Sequence, residues 1–243
     1  MSDAKRFLRY IVPGSVYFIE VALLVTGIVP GWTIRKVAWA FNTETFDAGT
    51  ALGVAIGYLV TSGALGFLFN TIHHTLYWIF AKHYPAADYR KFVDSVGNAE
   101  PSILNVASPL AVGTKEYMNA WVIATKLWHE LVGRNETIKS AHPRAELFAD
   151  IVHGLGSCRV ALWSGFLTAI LIVLDHKHVH GSLDRGPHVI LGWFLTLVSV
   201  GVPLCGELAY RQTLRLSDHF VIRILQTALS SGSSQNSLQD SGC

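Results

Sequence analysis

The sequence predicts an all-α integral membrane protein with four transmembrane helices and a cytoplasmic helical subdomain between helices 2 and 3. Four long apolar stretches, near residues 10–32, 49–72, 160–174 and 188–206, are the first observation behind this. The second is that the 243 residues are 51% apolar and only 15% charged, whereas soluble domains average about 25% charged residues. The third is that residues 81–142 form a separate polar stretch long enough for a small helical subdomain.

The first two apolar stretches are each long enough to cross a bilayer. A helix needs about 20 apolar residues to span roughly 30 Å of hydrocarbon. Between Arg9 and Arg35 the only carboxylate, amine, guanidinium or imidazole belongs to Glu20, and between Asp47 and His73 there is none. No proline interrupts the second helix before Phe80, so we expect its last turns to protrude into the cytoplasm.

The third stretch, between Arg159 and Asp175, is short for a membrane span. Fifteen helical residues reach only about 23 Å at 1.5 Å each, so either the flanking side chains snorkel or the bilayer thins locally. Three spans with one interfacial segment therefore remain an alternative. Pro143 suits the first turn of a helix, and we expect a helix that begins there to lead into this span.

The charge distribution predicts the orientation and the domain limits. If the N-terminus is cytoplasmic, most of the 19 lysines and arginines fall on the cytoplasmic side, as the positive-inside rule requires. The C-terminus is then cytoplasmic as well. We expect four segments: 1–80, a basic arm with helices 1 and 2; 81–142, the cytoplasmic subdomain; 143–229, a long helix with span 3, an outer His-rich loop, span 4 and a basic amphipathic helix; and 230–243, a disordered tail.

Small residues at four-residue spacing predict close helix packing. They are Gly49, Gly53 and Gly57 in the second span and Ala161, Gly165 and Ala169 in the third. Small residues on one helix face let another backbone approach in lipid. Packing within one protomer and self-association in a homo-oligomer both remain open.

Glu20 lies near the middle of the first span. A charged residue there costs about 2.5–3.5 kcal/mol on insertion scales. Its carboxyl is therefore either neutral and hydrogen-bonded, or it lines an aqueous or ion path together with Thr61 and Ser62. The candidate hydrogen-bond partners in the other spans are Thr61, Ser62, Ser164, Thr168, Thr196 and Ser199.

A second group of polar residues is expected at the inner ends of the spans. Helical spacing brings histidines onto the same face as an asparagine and a tyrosine, and a further histidine and arginine precede the third span. Such a group could form a pocket for an anionic ligand, although interfacial snorkelling without a ligand is the favoured interpretation. The residues are Asn70, His73, His74, Tyr77, His153 and Arg159.

Two further patterns lie outside the predicted spans. His176, His178 and His180 are potential zinc or copper ligands, but a solvated histidine-rich loop is the favoured interpretation. Arg211, Arg215 and Arg223 recur on one helix face after the fourth span. A basic amphipathic helix at this place is typical of binding to anionic lipid, with an acidic protein as the alternative partner.

No motif in the chain points to a known catalytic chemistry or cofactor. The sequence contains no P-loop, GxSxG elbow, HExxH or CxxC pair. The leading hypothesis is an oligomeric membrane channel or pore gated from the cytoplasmic side, an architecture shared by analogy alone with membrane effectors of bacterial immunity. The alternatives are a membrane-anchored scaffold that recruits a cytoplasmic partner through Trp121, Trp128 and the basic helix, and an integral-membrane enzyme that uses His73, His74 and His153.

The expected partners follow from the same features. They are the lipid bilayer, further copies of the chain, and a cytoplasmic protein or anionic ligand. The net charge of +2 gives no reason to expect a nucleic acid, and no cofactor is expected.

Overall fold

The computed structural model describes residues 7–29, 33, 48–80, 89, 91–92, 116–180 and 189–240. These ranges are almost entirely helical and contain no strand. A short π-helical turn, Phe7–Ile11, leads into the first α-helix. The α-helices are α1 (Val12–Ile28), α2 (Ala48–Phe80), α3 (Glu116–Val132), α4 (Glu136–His180) and α5 (Val189–Asp240).

Four of these helices are long and apolar enough to cross a membrane. The corresponding segments are Arg9–Ile28, Gly49–Tyr77, Glu136–Val179 and Val189–Ser230. This confirms the all-α class and the presence of four candidate spans. The side of the membrane on which the termini and residues 81–142 lie stays a prediction.

The second helix continues beyond the predicted membrane boundary, as its sequence indicates. Helix α2 runs unbroken from Ala48 to Phe80. No proline removes a backbone donor along this stretch, and helix propagation costs little once the first turn has formed. The prediction that this helix extends to Phe80 is confirmed.

Helix α4 begins earlier and ends later than predicted. Its start is fixed by Asn135, whose side-chain oxygen accepts hydrogen bonds from the backbone N–H groups of Thr137 at 2.9 Å and Ile138 at 3.2 Å. This is an N-cap, and it moves the helix start upstream of Pro143, which lies inside the helix. The helix then runs to His180, so the stretch from Asp175 to His180 is helical and the predicted outer loop does not begin at Asp175.

Helix α5 also extends further than the sequence indicates. It includes Pro203 and continues to Asp240, so most of the predicted disordered tail, 230–243, has a helical backbone. Serine, asparagine and glutamine are weaker helix formers than alanine, but adding a residue to an existing helix needs no new nucleus.

The chain divides into two compact units. Unit 1 consists of Met1–Thr75 and His153–Tyr210, and unit 2 of Leu76–Val152 and Arg211–Cys243. The boundaries fall inside α2, α4 and α5, so each of these helices contributes one part to each unit. Unit 2 contains residues on both sides of the predicted subdomain limits, 81 and 142.

Each unit has its own apolar core. In unit 1 the core joins α1 to α4, and its buried members are Leu24, Val25, Val29, Ala169 and Val173. In unit 2 the apolar face of α3 packs with α4 and α5. On α3, Ala124 and Trp128 are buried, and Trp121 and Leu131 pack against the same core.

Candidate functional site

Glu20 lies inside unit 1 and is only 1% exposed. Helix α4 passes directly over it at Gly165, where an added Cβ would lie 3.1 Å from the Glu20 Cβ atom. The Ser199 hydroxyl on α5 faces the carboxyl. Within the described ranges, however, neither Glu20 oxygen has a partner in hydrogen-bonding geometry, and the same holds for Ser199 Oγ. Burying a carboxyl without a hydrogen bond raises the free energy of the folded state. No hydrogen bond among the described residues offsets this increase.

The predicted path residues separate on the two sides of α2. Ser62 is fully buried against α1, where its backbone contacts Gly14. Thr61 is exposed and its hydroxyl donates to the Gly57 carbonyl oxygen at 2.7 Å. One residue turns a helix by about 100°, and here this rotation places Ser62 inside the protomer and Thr61 on its surface. That Thr61 lines a path together with Glu20 stays a prediction.

Two of the other hydroxyl groups proposed as partners of Glu20, those of Thr168 and Thr196, form hydrogen bonds elsewhere. Tyr17 donates a hydrogen bond to Thr168 Oγ1 at 3.1 Å. Thr196 donates to the Gly192 carbonyl oxygen at 2.9 Å. Of the residues named from the sequence, Ser199 is the one that the structure brings to the carboxyl.

Three histidine rings of unit 1 lie close together. The His74 and His153 ring centroids are 4.5 Å apart, and the His73 ring lies 5.5 Å from His74 and 6.1 Å from His153. His73 is 1% exposed and packs on Gly156, where a side chain would collide with the imidazole. Because Gly156 has no Cβ, the His73 ring can pack closely against α4 at this position.

A buried ion pair adjoins the histidines. The Arg159 guanidinium lies 3.3 Å from a Glu207 carboxylate oxygen and 4.4 Å from the centre of the Tyr210 ring. Tyr210 is in turn 5.4 Å from His73, ring centre to ring centre. A buried guanidinium requires a partner charge, and Glu207 supplies it while the Tyr210 ring adds a cation–π contact.

The structure brings together most of the predicted pocket residues. Asn70 joins the set through its side-chain oxygen, which accepts a hydrogen bond from Ser157 at 3.1 Å. Tyr77 belongs to unit 2, and its place in the pocket stays a prediction. We call the remaining set the histidine cluster; it comprises Asn70, His73, His74, His153, Ser157, Arg159, Glu207 and Tyr210.

Sequence reasoning missed three members of this cluster: Ser157, Glu207 and Tyr210. A signal for Glu207 was present. Arg159 precedes the third apolar stretch and Glu207 follows the fourth, so antiparallel helices place the two charges at the same end. Ser157 and Tyr210 have no such signal, because each acts through a contact between helices that the sequence does not specify.

The histidines do not form a metal centre in the described ranges. No group of three or more His, Cys, Asp or Glu side chains there is arranged to hold a metal ion. His176 and His178, which were expected in an outer loop, lie on α4 instead. His176 is buried and His178 is exposed. His180 is the last residue of that helix. The three residues 176, 178 and 180 follow a helix, so the alternating arrangement of a strand does not apply to them.

The two sets of small residues have different surroundings. Ala161 and Ala169 are fully buried and Gly165 touches α1, so the α4 set packs within unit 1. Around Gly53 and Gly57, in contrast, no described atom lies within 4 Å of an added Cβ. Packing within the protomer therefore accounts for the first set and not for the second.

The predicted basic face is present on α5. Arg211, Arg215 and Arg223 are all exposed, whereas Leu214, Asp218 and Ile222 on the same helix are buried. Leu208, one turn before Arg211, and Leu204, two turns before it, are also exposed. The change from exposed leucines to exposed arginines fits a membrane boundary near Arg211, and binding to anionic lipid stays a prediction.

Comparison with known proteins adds no relationship: no family model, curated protein or solved structure matches the chain. The function is therefore inferred from the geometry of unit 1 and unit 2.

Proposed function

We propose that the protein is an oligomeric membrane channel that conducts protons through the interior of unit 1. The observation that carries this proposal is the Glu20 carboxyl, 1% exposed and without a hydrogen-bond partner among the described residues. Ionisable residues inside membrane spans are expensive and mark ion or proton pathways. Because Glu20 is sealed from solvent, the structure represents the closed form in this proposal.

The chemistry of the interior favours protons over larger ions. Chains of carboxyl and imidazole groups are typical of proton relays in membranes, and unit 1 contains Glu20 together with His73, His74 and His153. Gly165 packs directly on the Glu20 side chain, and the carboxyl is closed off from solvent; a proton needs less space than a hydrated metal ion. Water that enters between Glu20 and the histidine cluster on opening would complete the relay.

The gate in this proposal is unit 2, on the cytoplasmic side. Helices α2, α4 and α5 pass from unit 1 into unit 2 without a break, at Thr75, Val152 and Tyr210. A binding event in unit 2 would therefore act on helices that also carry His73, His153 and Glu207. The positive-inside rule supports the cytoplasmic location of this unit.

The oligomer in this proposal forms through the open glycine face of α2. Gly49, Gly53 and Gly57 are exposed at four-residue spacing, and no part of the described chain covers them. Such spacing lets two helix backbones approach closely in lipid. The path itself lies inside each protomer, since Glu20 faces α4 and α5 of its own chain.

The proposal is tested by proton flux into liposomes that contain the purified full chain and a pH-sensitive dye. Glu20→Gln keeps the size of the side chain but removes the exchangeable carboxyl proton, so we expect the flux to fall by about ten-fold or more. Glu136→Gln is the matched control, because Glu136 is exposed and pairs with Lys139 at 3.0 Å. This variant should conduct like the unchanged chain.

Two outcomes would contradict the proposal. One is a Glu20→Gln variant that conducts protons as fast as the unchanged chain and the Glu136→Gln control. The other is an unchanged chain that carries no proton current at any pH or voltage, a result that would favour the membrane-anchored scaffold.

A further inference from the structure

Unit 2 contains a cavity of about 200 Å³. It lies between α3, the first turns of α4 and the part of α5 that follows Arg211, with Tyr89 as a further wall. Its chemically distinctive walls are Tyr89, Trp121, Trp128, His142, Glu146 and Asp218. None of these residues belongs to the proposed proton path, so the cavity requires a separate explanation.

Aromatic rings form one side of this cavity. Tyr89 and Trp128 are 3% and 5% exposed, and Trp121 packs beside them. The Trp128 indole N–H donates to His142 Nδ1 at 3.2 Å, which fixes the ring in place. The negative faces of aromatic rings can attract a cation, and three such rings line this cavity.

Two carboxylates, Asp218 and Glu146, also line the cavity. Asp218 is 4% exposed, and its Oδ1 atom accepts a hydrogen bond from the Tyr89 hydroxyl at 3.0 Å. Burial, together with the neighbouring Asp218 charge, raises the pKa of Tyr89 well above its ordinary value, so the phenol keeps its proton and remains the donor. The second carboxylate, Glu146, is half-exposed and lies 3.5 Å from His142 Nε2.

The ionisable side chains among the described lining residues are two carboxylates, two imidazoles and the Tyr89 phenol. Among the described residues that line the cavity there is no lysine or arginine. The carboxylates are Asp218 and Glu146, and the imidazoles are His129 and His142. Carboxylates and aromatic rings are both groups that attract a cation.

We propose that this cavity binds a small organic cation, such as a quaternary ammonium or a guanidinium compound. A cation over the faces of tryptophan and tyrosine is attracted by the ring quadrupole, and more strongly when it is shielded from water. A neutral apolar molecule would instead press against Asp218 and cost free energy. The volume, about 200 Å³, is below the roughly 300–1,000 Å³ of sites for drug-sized molecules, so the ligand is small.

Calorimetric titration of the full chain in detergent tests this proposal with choline, agmatine and 3,3-dimethylbutan-1-ol. The alcohol has the shape of choline without its charge. We expect at least one of the two cations to bind saturably, to change the tryptophan fluorescence, and to bind about ten-fold or more tightly than the alcohol. Failure of both cations to bind, or equal binding of choline and the alcohol with no binding of agmatine, would overturn the proposal.

Substitutions then locate the site. Asp218→Asn removes the buried charge and should weaken cation binding by about ten-fold or more. Because this residue also holds Tyr89, Glu146→Gln is the second variant; its half-exposed side chain should tolerate the change, and binding should weaken several-fold. Glu136→Gln, on the same helix but outside the cavity, should bind like the unchanged chain.

The decisive comparison uses variants that are shown by circular dichroism to be folded. Cation affinities that are equal in Glu146→Gln, in folded Asp218→Asn and in the unchanged chain would place any binding elsewhere and overturn the assignment. The titration measures cation binding and not proton flux through Glu20. Its result therefore tests the cavity proposal independently of the channel proposal.

Discussion

The two halves of α2 differ in how their small residues are used. In the first half every residue from Gly49 to Thr61 is exposed, including the regular series Gly49, Gly53 and Gly57. In the second half Ser62 is buried against α1 and Gly66 against the π-helical turn that precedes α1. A Cβ added at Gly66 would collide with the backbone of Tyr10, and one added at Gly14 would collide with the backbone of Ser62. The close backbone approach within the protomer therefore occurs in the half without the conspicuous series.

This difference shows that four-residue spacing identifies a face that can pack, but not the partner. Ser62 and Gly66 are themselves a pair of small residues four apart. Ser62 meets Gly14 on α1, and Gly66 meets the backbone of Tyr10 in the π-helical turn that precedes α1. Each of the two packed segments therefore supplies a glycine where the other supplies backbone. The longer glycine series is left for lipid or for a second copy of the chain.

The largest effect expected from this comparison is on stability. Gly14→Ala or Gly66→Ala would force a methyl group into the backbone of the facing helix, which cannot move aside as a side chain can. Overpacking of this kind costs about 1–3 kcal/mol, occasionally more, and we expect values near the upper end. The free energy of unfolding in mixed detergent micelles measures the effect.

The matched control for this prediction is Gly57→Ala in the open half. Its added methyl group meets no described atom within 4 Å, and alanine favours a helix by about 0.8–1 kcal/mol over glycine. Gly57→Ala should therefore be neutral or slightly stabilising. Equal destabilisation at positions 14 and 57 would remove the distinction between the two halves.

A smaller effect is expected at Gly165, which is an intermediate case. An added Cβ there would lie 3.0 Å from the Tyr17 carbonyl oxygen and 3.1–3.2 Å from Glu20 side-chain carbons. The glutamate can yield by a few tenths of an ångström, and the better helix propensity of alanine offsets part of the strain. Gly165→Ala should change the unfolding free energy by about 1 kcal/mol or less. A loss as large as that of Gly14→Ala would show that the α1–α4 contact is as rigid as the α1–α2 contact.

The fold was predictable from the sequence in long segments of uniform composition. Apolar stretches without charges predict the spans, and the absence of proline after Ala48 predicts the length of α2. The sequence was misleading at Pro143 and at Asp175–His180. At Pro143 the Asn135 cap determines where the helix starts, and from Asp175 to His180 the helix is already formed and continues through polar residues.

The candidate site was predictable only for residues whose chemistry is unusual for their place. Glu20 and the histidines stand out because charged or polar groups are costly in a span, and the structure brings His73, His74 and His153 together. Ser157 and Tyr210 act through contacts between helices, and those depend on the rotation of each helix. Periodicity within one helix does not contain this information, and neither does it show that Thr61 points away from Ser62.

The smallest effect on stability and the clearest effect on assembly are expected at Gly53. Gly53→Leu places a bulky side chain on the open face, where no described atom of the same chain is within 4 Å, so the protomer should remain folded. If copies of α2 meet through this face, the leucine separates their backbones and the particle mass in mild detergent should shift toward the monomer. Gly201→Leu is the matched control, because Gly201 on α5 is equally open but lies outside any four-residue glycine series. Light scattering that gives the same mass for both variants and for the unchanged chain would show that the open half of α2 faces lipid alone.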